Sequence, residues 1–209
     1  MSAKDLLQRY LDECPLVAIV RGVTPDEAEA IGDAVREGGI CIIEVPLNSP
    51  DPLRSIELLA KRFGDSMLVG AGTVLTKEQV QQVKDAGGRI IVSPDSNVEV
   101  ISATAQAGLI SSPGYFTPSE AFAALRAGAT TLKLFPAEGA TPAVLKAQLA
   151  VLPRGTQVMA VGGIKPDNMR PWLEAGAIGF GLGSGLYKAG QSAVDTLAKA
   201  RAYVAGLTA

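Results

Sequence analysis

The stretch LVAIVRGVTPDEAEAIGDAV, residues 16–35, decides the fold. It opens with an apolar run closed by Arg21, turns through Gly22, and restarts at Thr24-Pro25 as a segment with amphipathic spacing. A short apolar run bounded by a turn reads as a buried strand, and Thr-Pro ahead of an acidic first turn reads as a helix start. The same unit recurs along the chain. Its strand halves are LVAIVR (16–21), ICIIEV (40–45), MLVGAG (67–72), RIIVS (89–93), LISSP (109–113), TLKLF (131–135), QVMAVG (157–162) and IGFGLG (178–183). Helical segments lie between them, several opened by proline (TPDEAE, SPDPLR, TPSEAF, KPDNMR) and closed by Gly38, Gly87, Gly128 and Gly176. Proline just inside a start and glycine just past an end are where helices favour them.

One landmark at the end of each run (Arg21, Glu44, Thr73, Pro94, Pro113, Lys133, Gly162, Gly183) gives steps of 19 to 29 residues. Each step holds one strand, one helix and two short loops. Strands that alternate with helices pair in parallel, and eight such units predict a closed (β/α)₈ TIM barrel, one domain over residues 1–209. A short amphipathic helix near residues 4–13 precedes it, with Leu6, Leu7, Tyr10 and Leu11 on one side. An open doubly wound sheet is the alternative. The count of eight disfavours it, as does the lack of a GxGxxG turn after the first strand.

Composition narrows the chemistry. Of 209 residues, 47% are hydrophobic, 19% charged and 5% aromatic, which supplies a mainly aliphatic core and excludes a disordered chain. The formal charge of −2 leaves no global field for nucleic acid or an anionic membrane. Histidine is absent, which removes imidazole catalysis and every histidine metal site. Cys14 and Cys41 stand in no CxxC or zinc spacing and read as reduced, buried thiols. The first residues carry charge rather than a secretory apolar core, and every apolar run falls short of a membrane span. The expected location is the cytoplasm.

In this architecture catalytic groups stand at the C-terminal ends of strands and point inward, so charged residues within apolar strands are the informative ones. Lys133 in TTLKLFP has leucine on both sides, while the other eight lysines fall in helical or loop segments. Period-two alternation turns Leu132 and Leu134 to the helices and sends Thr131, Lys133 and Phe135 into the lumen. Burial there favours the neutral amine, a nucleophile able to form a Schiff base; a structural lysine paired with a carboxylate is the plainer alternative. Glu44 in CIIEVP faces inward by the same alternation and serves as counter-ion, proton shuttle, or both. Arg21 ends the first strand, either to hold a carboxylate or as a rim ion pair, with the Thr73 hydroxyl as a further donor. Gly162-Gly163 and Gly183-Ser184-Gly185 follow the seventh and eighth strands, where this fold commonly binds phosphate on backbone amides. A phosphorylated small molecule is the expected ligand.

With these residues assembled, the chain resembles the class I aldolases that cleave 2-keto-3-deoxy-6-phospho sugar acids, the KDPG/KHG aldolase family. VAIVRG, IIEVPLNSP, GAGTVL, the SPG turn, LKLFPA, VGGIKPDN and GLGSGLY carry the likeness in family order. The resemblance implies that Lys133 forms the Schiff base and Glu44 moves protons, partly through water. It places Arg21, Thr73 and Phe135 at the substrate carboxylate, and Gly162, Gly163, Gly183 and Ser184 at the phosphate. It further implies a homotrimer that needs no metal or other cofactor.

Two positions bear on the sugar. The gluconate-derived branch has arginine where this chain has Asn48, and threonine where it has Val161. Both departures resemble the galactonate-derived branch, whose substrate differs in configuration at C4. Valine at 161 withdraws a hydroxyl able to bond one epimer, a contact worth on the order of 1 kcal/mol. The galactonate epimer is therefore the expected substrate and the gluconate epimer of the Entner–Doudoroff pathway the alternative. A phosphosugar isomerase or epimerase would share the glycine loops but need no lumen lysine. A phosphosugar sensor would need neither buried charge.

Overall fold

A computed structural model describes residues 1–208. Its strands are β1 (Leu16–Ile19), β2 (Ile42–Pro46), β3 (Leu68–Gly72), β4 (Ile90–Val92), β5 (Ile110–Ser112), β6 (Gly114–Tyr115), β7 (Leu132–Leu134), β8 (Val158–Val161) and β9 (Gly179–Leu182). They pair in parallel in the order β5-β4-β3-β2-β1-β9-β8-β7-β6. Every strand residue is buried, as expected of a parallel sheet covered on its outer face by helices and filled on its inner face by side chains.

The expected fifth strand, 109–113, is divided. Pro113 separates β5 from β6, and the extended segment runs on to Tyr115. Proline has no N–H to give the ladder, so regular pairing lapses at that residue. The ring nevertheless closes across it. On one side Ser93 N donates to Ser112 O (3.3 Å) and Gly114 N to Ser93 O (3.0 Å). On the other, Thr131 N donates to Ser111 O (3.1 Å) and Lys133 N to Pro113 O (2.9 Å). Taken as one kinked strand, β5 and β6 make the fifth of eight, and the expected barrel stands.

The helices are α1 (Ala3–Glu13), α2 (Pro25–Glu37), α3 (Pro52–Phe63), α4 (Lys77–Asp85), α5 (Val98–Gln106), α6 (Pro118–Arg126), α7 (Pro142–Val151), α8 (Arg170–Glu174) and α9 (Ala193–Gly206). Local chemistry sets their starts. Thr76 Oγ1 accepts from Gln79 N while Gln79 Oε1 accepts from Thr76 N, both at 3.2 Å, a reciprocal cap repeated by Thr117 and Glu120 at α6. Two expected boundaries shift. KPDN (165–168) forms a turn instead of a helix start: Lys165 N donates to Asn168 Oδ1, and α8 begins only at Arg170. After α2 the left-handed residue is Gly39 (φ 96°), because Gly38 keeps helical angles.

The N-terminal mouth of the barrel is shut by α1, which buries Leu7, Tyr10 and Leu11. Each such side chain contributes about 1.5–3 kcal/mol relative to exposure. Tyr10 OH donates to Asp65 O (2.9 Å) just before β3 and accepts from Arg89 Nη2 (3.0 Å) just before β4. Arg89 also donates to Asp65 Oδ1, Gly64 O and Met67 O. Cys41 Sγ donates to Tyr10 O at 3.2 Å. Cys14 and Cys41 are free and buried, and burial pushes their thiols up to about 11 and about 12.

Candidate active site

Glu44 and Lys133 are the only charged residues in the described strands, and they are 2% and 7% exposed. Three ring positions separate β2 from β7 in either direction, so the two side chains face one another across the lumen. Both line a cavity of about 720 Å³ at the C-terminal mouth. No hydrogen bond or ion pair joins Lys133 Nζ to any described residue. Its Nζ lies over the Phe135 ring, 4.5 Å from the centroid.

Electrostatics follow from this isolation. Burial lowers the Lys133 pKa; Glu44 opposes that shift and Arg21 adds to it. Burial pushes Glu44 up to about 7, against the pull of Lys133 and Arg21. Glu44 Oε2 is buried without a hydrogen-bond partner. The carboxylate lies over Gly72 on β3, where even a methyl group would overlap it. This is the position at which glycine is required by close approach.

Arg21 stands exposed just beyond β1 and donates from Nη1 to Asn48 Oδ1 and to Thr73 Oγ1, the latter at 3.4 Å. Thr73 follows β3 with φ 54°, a left-handed conformation that costs a β-branched residue about 1–3 kcal/mol. That backbone turns its hydroxyl toward Arg21.

The glycine loops lie on the opposite wall. Gly162 and Gly163 follow β8 with φ 107° and 66°. Beyond β9, Gly183 O accepts from Leu186 N (2.9 Å) and Tyr187 N (3.1 Å), closing a single helical turn. The amides of Gly163, Ser184 and Gly185 donate to no acceptor among the described residues. Such uncommitted N–H groups at a turn can receive an anion.

The cavity thus gathers Arg21, Glu44, Thr73, Lys133, Phe135, Val161, Gly162, Gly163, Gly183 and Ser184. Asn48 is the exception: it is exposed outside the lining and reaches the cavity only through Arg21. Several lining residues escaped the sequence. Glu138 follows β7, and any side chain on Gly163 would collide with it; Lys165, Lys188 and the α9 residue Tyr203 complete that wall. Charged residues in polar loops resemble ordinary solvated ones; the one signal that could have found Glu138 is its place five residues after Lys133, just beyond the same strand. No group of three or more Cys, Asp or Glu fit to hold a metal is gathered among the described residues.

Known proteins resemble this chain over most of its length. The family model for KDPG and KHG aldolases matches residues 7–201. The 2-dehydro-3-deoxy-6-phosphogalactonate aldolase of Escherichia coli (strain K12) is 47% identical over 196 residues, covering 94% of this chain and 96% of its own. A solved structure of native KDPGal is similar at TM-score 0.92 and 46% identity, over 94% of this chain and 95% of that one. KDPG aldolase from Legionella pneumophila, with pyruvate captured at low pH as a covalent carbinolamine intermediate, is similar at TM-score 0.81 and 26% identity, over 97% of each chain. Family match, relatives and barrel coincide over nearly the whole length, and the chain belongs to the KDPG and KHG aldolase family.

Proposed function

We propose that the protein is a class I aldolase that cleaves 2-dehydro-3-deoxy-6-phosphogalactonate to pyruvate and D-glyceraldehyde 3-phosphate. The observation that carries this reading is Lys133, buried in the lumen opposite Glu44 and without an ion-pair partner among the described residues. The neutral amine adds to C2 of the keto acid, and protonated Glu44 gives its proton to the departing hydroxyl, so that loss of water leaves a protonated imine and a Glu44 carboxylate. Glu44 as carboxylate takes the C4 hydroxyl proton; the C3–C4 bond breaks and its electrons pass into the imine, giving an enamine and the aldehyde. The protonated Glu44 returns its proton to C3. Addition of water then expels pyruvate and restores the amine. Arg21 and Thr73, with Phe135 beside the amine, receive the substrate carboxylate. The free amides of the loops that begin at Gly162-Gly163 and Gly183-Ser184, those of Gly163, Ser184 and Gly185, receive the phosphate, which fixes the C3–C4 bond against the imine plane.

The galactonate preference is supported by the 47% identical relative of that name and by Val161, which lines the cavity with no hydroxyl to offer. Asn48 acts on the sugar through Arg21. The homotrimer belongs to the same reading. Leu75, Val98, Phe116 and Val144, at the starts of four successive helices, are 40 to 47% exposed and offer apolar surface for neighbouring copies. A cytoplasmic setting belongs to the same reading; no described helix is long and apolar enough to cross a membrane.

Borohydride added with pyruvate tests the chemistry. The expected product is a reduced pyruvyl adduct mapped by mass spectrometry to Lys133 and missing from Lys133→Met. An adduct on another residue, or none, overturns the Schiff-base assignment.

A further inference from the structure

Below the main cavity the lumen holds a second, far smaller pocket of about 10 Å³. It shares Glu44, Lys133 and Val161 with the cavity floor and adds Ser112, the last residue of β5 before the Pro113 break. Ser112 is fully buried, and its Oγ has no hydrogen-bond partner among the described residues. Glu44 lines the same space, and its Oε2 is likewise buried without a hydrogen-bond partner among the described residues. Buried polar atoms are seldom left unsatisfied, and each one that is costs about 1–3 kcal/mol. Two of them beside an unpaired lysine, around a space close to the ~10–15 Å³ that admits one water, form a polar site of single-water size. The remaining lining comes from β1, β4, β8 and β9 and is apolar or glycine, including Val17, Val92, Met159 and Gly181.

We infer that Ser112 is a positioning residue for the aldolase reaction: with Glu44 and Lys133 it holds one water on the floor of the lumen, and this water carries a proton between the two. The inference rests on the proposed function. Glu44 and Lys133 make no direct ion pair, so a proton cannot pass between them in a single hydrogen bond. Water in this site accepts from Lys133 Nζ and donates to Glu44 Oε2, while the Ser112 hydroxyl fixes its orientation. The ammonium loses one proton, the water relays one, and the carboxylate gains one; the lysine is then a free amine ready to attack C2. The charged groups facing this step are Glu44 from β2, Lys133 from β7 and Arg21 beyond β1, with none contributed by the other lining strands. Direction favours the transfer, since burial raises the Glu44 pKa and lowers that of Lys133.

Rapid-mixing borohydride capture with pyruvate, run from pH 5 to 9 on wild type, Ser112→Ala and Ser112→Gly, tests the relay. Ser112→Ala is expected to slow imine formation about tenfold while pyruvate affinity stays within about twofold, and to displace the pH profile of the capture rate. Ser112→Gly makes room for a second water in place of the hydroxyl and recovers part of the rate. Wild-type rate and profile in Ser112→Ala would overturn the inference. So would a rate loss matched by an equal loss of affinity with the profile unchanged, since that marks packing alone. Failure of the wild type to be captured on Lys133 would instead overturn the proposed function.

Discussion

At the N-terminal end of the barrel, Arg89 donates to four acceptors, Tyr10 both gives and receives, and α1 covers the strand starts. At the C-terminal end, among the described residues, Lys133 Nζ has no hydrogen-bond or ion-pair partner, Glu44 Oε2 and Ser112 Oγ are unsatisfied, and Thr73 is held in a left-handed conformation. Strands of one composition run between the two ends, so the difference lies in how polar groups are completed. Satisfied polar groups hold a structure in place. Unsatisfied ones keep free energy available for a ligand and lower stability until it arrives, the usual opposition between function and stability.

The sharpest way to break this contrast is Glu44→Gln. Turnover is expected to fall by about 10²–10⁴, with pyruvate binding far less affected, in steady-state kinetics and pyruvate titration. In wild type, kcat/KM should decline as pH drops below about 7, where Glu44 becomes protonated, and the variant should lack that limb. Stability moves the other way. A carboxyl raised from 4.5 to about 7 on folding binds more protons folded than unfolded, so its presence lowers stability as pH rises through that window. Glu44→Gln should therefore be more stable than wild type by about 1–3 kcal/mol at pH 8.5, and equal to it near pH 4.5, in urea unfolding. Equal stability at both pH values would show that the carboxylate is less strained than its burial implies.

Arg89→Ala probes the satisfied end. Removing four donated bonds and leaving Tyr10 without its donor should cost about 2 kcal/mol in the same assay, while kcat stays close to wild type. A large fall in kcat would mean the two ends are coupled through the strands. The smallest effect belongs to Val161→Thr. A hydroxyl there should shift the ratio of kcat/KM for the gluconate over the galactonate epimer upward by roughly 1 kcal/mol, several-fold, in paired assays. An unchanged ratio would place epimer selection elsewhere, with the Arg21–Asn48 pair the next position to alter.

The same contrast explains what the sequence revealed. Lys133 and Glu44 were legible because a charge inside a run such as TLKLF or ICIIEV violates the burial its neighbours require. Arg21 and the glycine pairs were legible because the barrel dictates where strand ends gather. Gly72 and Ser112 gave no such sign: a small residue in MLVGAG or LISSP looks like filler until a carboxylate lies over it or its hydroxyl is found without a partner. The division of the fifth strand was hidden for a related reason. Pro113 marks an end in most chains, and only bonds from both neighbouring strands show the segment continuing past it. Glu138 and Lys165 belong to loops whose approach to the cavity depends on the whole barrel closing.

The lid at the quiet end also constrains assembly in time. Tyr10 bonds residues 55 and 79 positions ahead, and Gln8 receives a bond from Gln157, 149 positions ahead. On the ribosome α1 therefore emerges long before its seat exists, and its greasy side must wait, uncovered, while most of the ring is synthesised. The segment made early is anchored late, so a chaperone that shields the newborn protein would have its most persistent target in Leu7, Tyr10 and Leu11.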